Sequence, residues 1–177
     1  MIPVKEKLKQ ARPALKEALK ITNDLAAPRL LKVVLSSGTG KAKDKKRNEL
    51  VANRLAKITG QKASPRGAKK AIASFKTRQG DVVGFAVTLR GERMYHFLDR
   101  LLNVAVPRIR DFRGFDDKSV DEIGNLTIGI REHTVFPETA DEDLKDVFGF
   151  AVTIATTAKN RAEALALFRG IGFPFKK

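Results

Sequence analysis

Between Val82 and Gly114 the chain changes hydrophobic period once, and the rest is arranged around that change. Val83, Phe85, Val87 and Leu89 alternate with Gly84, Ala86 and Thr88, the pattern of a half-buried strand. Gly91 breaks the alternation. Met94, Phe97, Leu98, Leu101 and Leu102 then recur at helical spacing. Pro107 is expected to end that helix, and Arg108, Arg110 and Arg113 follow, spaced by Ile109 and Phe112.

The same reading extends both ways. Val4, Leu8, Leu15 and Leu19 mark an amphipathic helix that Pro13 is expected to kink or split. Leu31 to Leu35 reads as a strand. Asp44 can cap a helix running to Thr59, with Leu50, Val51, Leu55 and Ile58 inward and Gly60 as its stop. From Gln61 to Gly80 apolar periodicity is weak, as in a long basic loop or ribbon; such loops are usually functional. Leu126, Ile128 and Ile130 alternate, as do Phe148, Phe150, Val152 and Ile154, giving two further strands. Val135 to Pro137 is expected to extend or end the first of these. Asn160 and Glu163 resemble a capping box, with Leu165 and Phe168 inward, Gly170 as the stop, and Phe173 and Phe175 tucked onto the body. About four helices and four or more strands in this order favour a single α+β domain over residues 1–177. A mainly antiparallel sheet would be covered on one face by helices.

Charge changes the picture most. The chain carries 35 Lys and Arg against 20 Asp and Glu, a net of +15. Lys41 to Arg78 holds 13 basic and 2 acidic residues, whereas Asp111 to Asp146 holds 4 basic and 11 acidic. Such polarity implies two surfaces with different partners, the basic one fitted to nucleic acid. The 42% hydrophobic content supports a real core. The absence of cysteine excludes disulfides and thiolate metal sites, and fits a reducing compartment. No apolar run approaches the ~20 residues that span a membrane, and the first residues lack an apolar signal core.

Chemistry finds little support. Ser36 to Lys41 looks like a phosphate loop, but Leu35 stands where a Walker loop needs its first Gly, and Ala42 where it needs Ser or Thr. His96 and His133 are the only histidines and have no ligand-type spacing, so no metal is expected. No nucleophile elbow or calcium-loop pattern exists. The chain is read as a non-enzyme without cofactor or small-molecule substrate. Phe75, amid Lys69, Lys70, Lys76 and Arg78, suits either stacking on a base or anchoring the loop to the core. Arg108, Arg110 and Arg113 suit phosphate oxygens, with an internal ion-pair cluster around Asp111 as the alternative.

Several motifs in order resemble one family. TLRGERMY, AVPRIRDFRG, GN-L-T-IGI-RE and FP-E are similar to the large-subunit ribosomal protein family that binds 5S rRNA in the central protuberance, the fifth protein of that subunit. KKAIASF-K-TRQG and the ending TTA…GFPFKK match it too, in register from about Arg29 onward. The resemblance implies an antiparallel sheet backed by helices, with 5S rRNA against the sheet. Its motifs imply 5S rRNA contacts at Gln61, Arg78 and Thr88, with Lys32 and Arg90 beside them. Ser36 stands where the family usually has Asn, and Phe148-Gly149 where relatives carry Arg-Gly. The family's basic loop, here 64–80, approaches the peptidyl-site tRNA, implying Arg66, Lys69, Lys70, Phe75 and Lys76 as contacts. That loop is expected to be mobile in the free protein. Arg108, Arg110 and Arg113 are assigned to large-subunit rRNA. The acidic segment 111–146, with Asp141, Glu142 and Asp143, implies a bridge to a basic protein of the small-subunit head. The implied location is the cytoplasmic ribosome. A free RNA-binding regulator or chaperone and a small nucleotide hydrolase are the alternatives.

Overall fold

The computed structural model describes residues 2–40, 44–139 and 147–176. Among them, four α-helices and five strands form: α1 (Val4–Leu19), β1 (Leu30–Gly38), α2 (Lys45–Thr59), β2 (Ser64–Gly67), β3 (Val82–Leu89), α3 (Gly91–Arg100), β4 (Leu126–Ile130), β5 (Phe150–Thr156) and α4 (Arg161–Ile171). The strands make one antiparallel sheet in the order β2-β3-β1-β5-β4, so the α+β expectation holds. The chain packs as two compact units, Met1–Val33 with Leu89–Ile128 and Thr153–Lys177, and Val34–Thr88 with Gly129–Val152.

In the first unit α1 packs against α4 and α3. It runs unbroken through Pro13, contrary to the expected split. Val4 and Leu15, on either side of the proline, are both buried, and burial of an apolar face outweighs one missing backbone hydrogen bond. Leu8 and Leu19 are only half-buried. The Val4 amide donates to Asp99 Oδ1 at 2.6 Å, which ties the start of α1 to α3.

Two helix ends differ from the sequence reading. Gly170 does not stop α4; the helix continues to Ile171 and closes at Gly172, whose φ of 93° suits glycine. Gly170 instead faces α1, where an added Cβ would come within 3.0 Å of the Ala11 Cβ. Leu165 is half-buried, and Leu167 joins Phe168 in the core. Likewise Pro107 does not directly follow the α-helix. Past Arg100 the chain widens into a π turn, Leu101–Ala105, closed by the Val106 amide on the Leu101 carbonyl. Pro107 lies in the 3-10 turn that follows. Leu101, Leu102 and Ala105 all stay buried through this change of pitch. At the start of α4, Asn160 Oδ1 accepts from the Glu163 amide at 2.9 Å, as the capping pattern predicts. The C-terminal tail docks by backbone bonds, Phe115 N to Pro174 O and Lys176 N to Phe115 O, and Phe173 is buried. Asp121 closes the turn before β4. Burial pushes its carboxyl up, but hydrogen bonds from Asn125 and Gly124 outweigh that and hold it below the usual value. A depressed folded pKa stabilises above the unfolded value, so this contribution is lost as pH falls through the folded one.

In the second unit α2 has the predicted ends: Asp44 Oδ1 accepts from the Lys46 amide, and Gly60 closes the helix at φ 67°. Val51, Leu55 and Ile58 are buried, while Leu50 is half-buried. The stretch 64–80 proves to be a ribbon. β2 pairs with β3 through Ser64↔Ala86, Pro65↔Phe85 and Arg66↔Gly84, then slips at Gly67↔Val82. β3 also lies close to β1. The Thr39 amide donates to the Val83 carbonyl at 2.9 Å, and a Cβ on Gly84 would sit 2.7 Å from the Ser37 carbonyl oxygen. After β4 the chain turns into two 3-10 segments, His133–Val135 and Pro137–Thr139, so Val135 to Pro137 ends the strand. These turns bury Phe136 beside Phe150, with ring centroids 6.0 Å apart. His133 is buried and stacks on Phe148 at 4.3 Å. Thr139 is buried with its hydroxyl donating to the His133 carbonyl at 2.9 Å. Residues 140–146, part of the acidic segment, lie outside the described residues.

The Gly84 contact allows a stability test. Gly84→Ala is expected to cost about 1–3 kcal/mol, because the methyl meets backbone that cannot rotate away. Gly38→Ala, with nothing within 4 Å of the added carbon, is expected to cost nothing comparable. Asn160→Ala should cost about 1 kcal/mol through the lost cap. Urea-unfolding midpoints measure all three, and equal midpoints for the two glycine variants would contradict the close approach.

Candidate nucleic-acid interface

Strand parity sorts the predicted contact residues before any ligand is considered. Along β1, Val33, Leu35 and Ser37 are buried, whereas Lys32 and Ser36 lie on the alternate side, half-buried and exposed. Ser37 Oγ donates to the Gly149 carbonyl at 2.8 Å and so belongs to the packing. Two adjacent serines therefore do different work: one joins strands, the other is presented outward.

β3 repeats the division. Phe85 and Val87 are buried with the core set, and Thr88, half-exposed, belongs to the alternate set with Gly84 and Ala86. Directly paired residues in an antiparallel ladder project to the same face. The pairing Arg66↔Gly84 therefore places Arg66 on the Thr88 side of the ribbon. Arg66 lies on β2, within the 64–80 stretch and several residues from its tip.

Gln61 follows the glycine that closes α2, and its Nε2 donates to the Thr88 carbonyl at 3.3 Å. These two predicted contacts, 27 residues apart in sequence, are thus brought together. Arg78 is exposed in a tight turn: its amide donates to Asp81 Oδ2 at 2.9 Å, and the Asp81 amide donates back to the Arg78 carbonyl at 3.2 Å. That turn leads into β3 and holds the Arg78 backbone while its side chain faces solvent.

At the ribbon tip Ile72 and Thr77 pair through both backbone bonds, and a 3-10 turn spans Ala73–Phe75. Lys69, Lys70, Phe75 and Lys76 are all exposed there, Phe75 by 71%. This removes the option that Phe75 anchors the loop to the core. The groove this tip forms with Gly38 and Gly40 is invisible in the sequence, because its walls come from segments about thirty residues apart.

In the first unit Arg90 is exposed at the start of α3, and Arg108, Arg110 and Arg113 are all exposed. Arg110 Nε lies 4.0 Å from Asp111 Oδ2, with both side chains more than nine-tenths exposed. Such a pair is worth about 0–1 kcal/mol, and the internal ion-pair cluster does not form. The neighbouring acids partly serve local structure. Asp116 Oδ1 accepts from the Lys118 amide, which holds that carboxyl below its usual value, and Asp117 pairs with Arg169 at 3.0 Å. Asp141, Glu142 and Asp143 lie outside the described residues. Phe148, in place of the family's arginine, is buried under His133 and presents no cation. Among the described residues no His, Asp and Glu cluster could hold a metal ion, and no helix is long and apolar enough to cross a membrane.

The candidate interface thus consists of polar and cationic side chains on strands and turns among the described residues. Comparison with known proteins places the chain in a family. Residues 23–78 match the family described as Ribosomal protein L5, and residues 82–175 match that family's C-terminal portion. The large ribosomal subunit protein uL5 of Synechococcus sp. (strain CC9605) is 49% identical over 166 residues, covering 93% of each chain. The protein of the same name from Parasynechococcus marenigrum (strain WH8102) gives the same identity and coverage. The chain belongs to the uL5 family of large-subunit ribosomal proteins, a structural and non-enzymatic family.

Proposed function

We propose that the chain holds 5S rRNA through Ser36, Gln61, Arg78 and Thr88, with Lys32 and Arg90 adding contacts. The observation that carries this reading is the Gln61–Thr88 hydrogen bond, which joins two sequence-distant family-motif residues on the half-exposed side of β3. Arg66 on the paired strand adds a cation on that side. The ribbon tip, with Lys69, Lys70, Phe75 and Lys76, contacts the peptidyl-site tRNA. Arg108, Arg110 and Arg113 take large-subunit rRNA phosphates, since exposed guanidinium groups fork onto phosphate oxygens. Asp141, Glu142 and Asp143 meet a basic small-subunit head protein. Such a contact must form and break, which solvated charge pairs permit. A free RNA chaperone would differ by failing to co-sediment with large subunits in stringent salt.

Three results test this reading. Arg78→Gln is expected to weaken 5S rRNA binding and flatten its salt dependence, with the logarithmic slope falling by roughly 0.7–0.9 for one lost phosphate contact. Thr88→Ala should weaken binding and leave the slope nearly unchanged, since a hydroxyl carries no charge; equal slopes for both variants would contradict the assignment.

The serine pair separates packing from recognition. Ser37→Ala should lower stability by about 1 kcal/mol without touching RNA affinity, and Ser36→Ala should do the reverse. Unfolding and filter-binding titrations on the same preparations decide it.

Changing Asp141, Glu142 and Asp143 together to amides should leave 5S rRNA affinity intact. Subunit association should weaken and become less sensitive to salt. Unaltered association would reject the bridge.

A further inference from the structure

The ribbon tip and the end of β1 enclose a groove of about 1020 Å³, lined by Gly38, Ala68, Ile72, Phe75, Val83 and the stems of lysines. That volume stands at the top of the ~300–1,000 Å³ range of small-ligand sites. Its floor is mostly apolar. Ile72 is 46% and Phe75 71% exposed, so two large hydrophobic side chains are held in water at the end of a two-stranded ribbon. The tip is built to hold them there. Ile72 and Thr77 close it with two backbone bonds, and Thr77 Oγ1 donates to the Phe75 carbonyl at 3.1 Å. Lys76 adopts a left-handed conformation at φ 49°, which a side chain bears at a cost. Lys69, Lys70 and Lys76 stand along the same groove.

An apolar floor beside ammonium groups fits one class of occupant. A hydrophobic peptide would leave the lysines buried against apolar surface, and a paired duplex offers phosphates but keeps its base faces stacked internally. An unpaired nucleotide offers both, a flat π face for Phe75 and flanking phosphates for Lys69 and Lys70. We infer that this groove is a stacking site for an unpaired nucleotide of RNA, with the Phe75 ring as its platform. The inference deepens the reading of the tip as an RNA contact and rests on it. It is separate from the 5S rRNA contacts proposed on the strands.

The test uses the full chain and two RNA hairpins of equal length and phosphate number. One carries 2-aminopurine unpaired in its loop; the other carries it base-paired in the stem. The wild type is expected to bind the looped probe more tightly and to quench its fluorescence. Phe75→Ala should weaken that binding about 5- to 100-fold and abolish the quench while leaving the salt slope unchanged, as loss of a stacking contact requires. Phe75→Trp should retain both. Changing Lys69 and Lys70 together to Gln should flatten the slope and keep the quench. Circular dichroism confirms that each variant folds, which the exposure of Phe75 favours. Affinity for 5S rRNA, measured in parallel, should not move with any of these changes; its absence in the wild type would sink the strand-face reading alone. A wild type that does not distinguish the two hairpins, or a Phe75→Ala variant that binds the looped probe as the wild type does, overturns the inference.

Discussion

The approach of β3 to β1 at Gly84 is the constraint from which the second unit follows. A Cβ at that position would stand 2.7 Å from the Ser37 carbonyl oxygen, so only a residue without one lets the strands pair here. Once β3 is seated, Phe85 and Val87 enter the core, and β2 finds its register through Arg66↔Gly84. The ribbon is therefore positioned by a pairing at its base, although nearly all of its own side chains are exposed. The same contact explains how a stretch with so little apolar content holds a defined conformation.

Electrostatics then acts on a frame already set by packing. The basic run could not be buried, since an unpaired ammonium or guanidinium loses far more solvation than packing returns. It is spread along the outer turns of α2, the ribbon and its tip. Acidic residues follow a different course. Asp44, Asp116 and Asp121 accept backbone amides and close turns or helix starts, so part of the acidic content is structural. Separating the two signs along the chain lets a polyanion approach the basic segment without meeting the carboxylates, because like-charge contact across an interface costs several kcal/mol.

Exposure and packing alternate at single-residue resolution along β1. Ser36 and Ser37 differ by one position, yet the first is exposed and the second is buried and bonded to the Gly149 carbonyl. A register slip of one residue would exchange every member of both sets. The hydrogen bond from Gln61 to the Thr88 carbonyl ties the end of α2 to this arrangement, so a residue read as an RNA contact also braces the strand it sits beside.

The sequence by itself determined the order of the elements other than β2, the α+β class, the inward faces of β4 and β5, both caps of α2, the N-cap of α4, and the charge asymmetry. Each of these depends on local spacing or composition, which a linear pattern records directly. The family motifs name Gln61, Arg78 and Thr88, and the fold brings the first and last of these together. Tertiary structure decided what depends on neighbours far along the chain. Pro13 sits within a continuous helix because α1 is held by burial at Val4 and Leu15. Gly170 serves the approach of α1 rather than ending its own helix, since Ala11 lies against it. The ribbon was unreadable as strand because β2 has no buried residue of its own and borrows its order from β3. Arg66 could be assigned to a face only through that pairing, and the exposure of Phe75 beside the groove only from the fold. Side-chain periodicity reports which residues must leave water; it carries no record of which distant backbone they will meet.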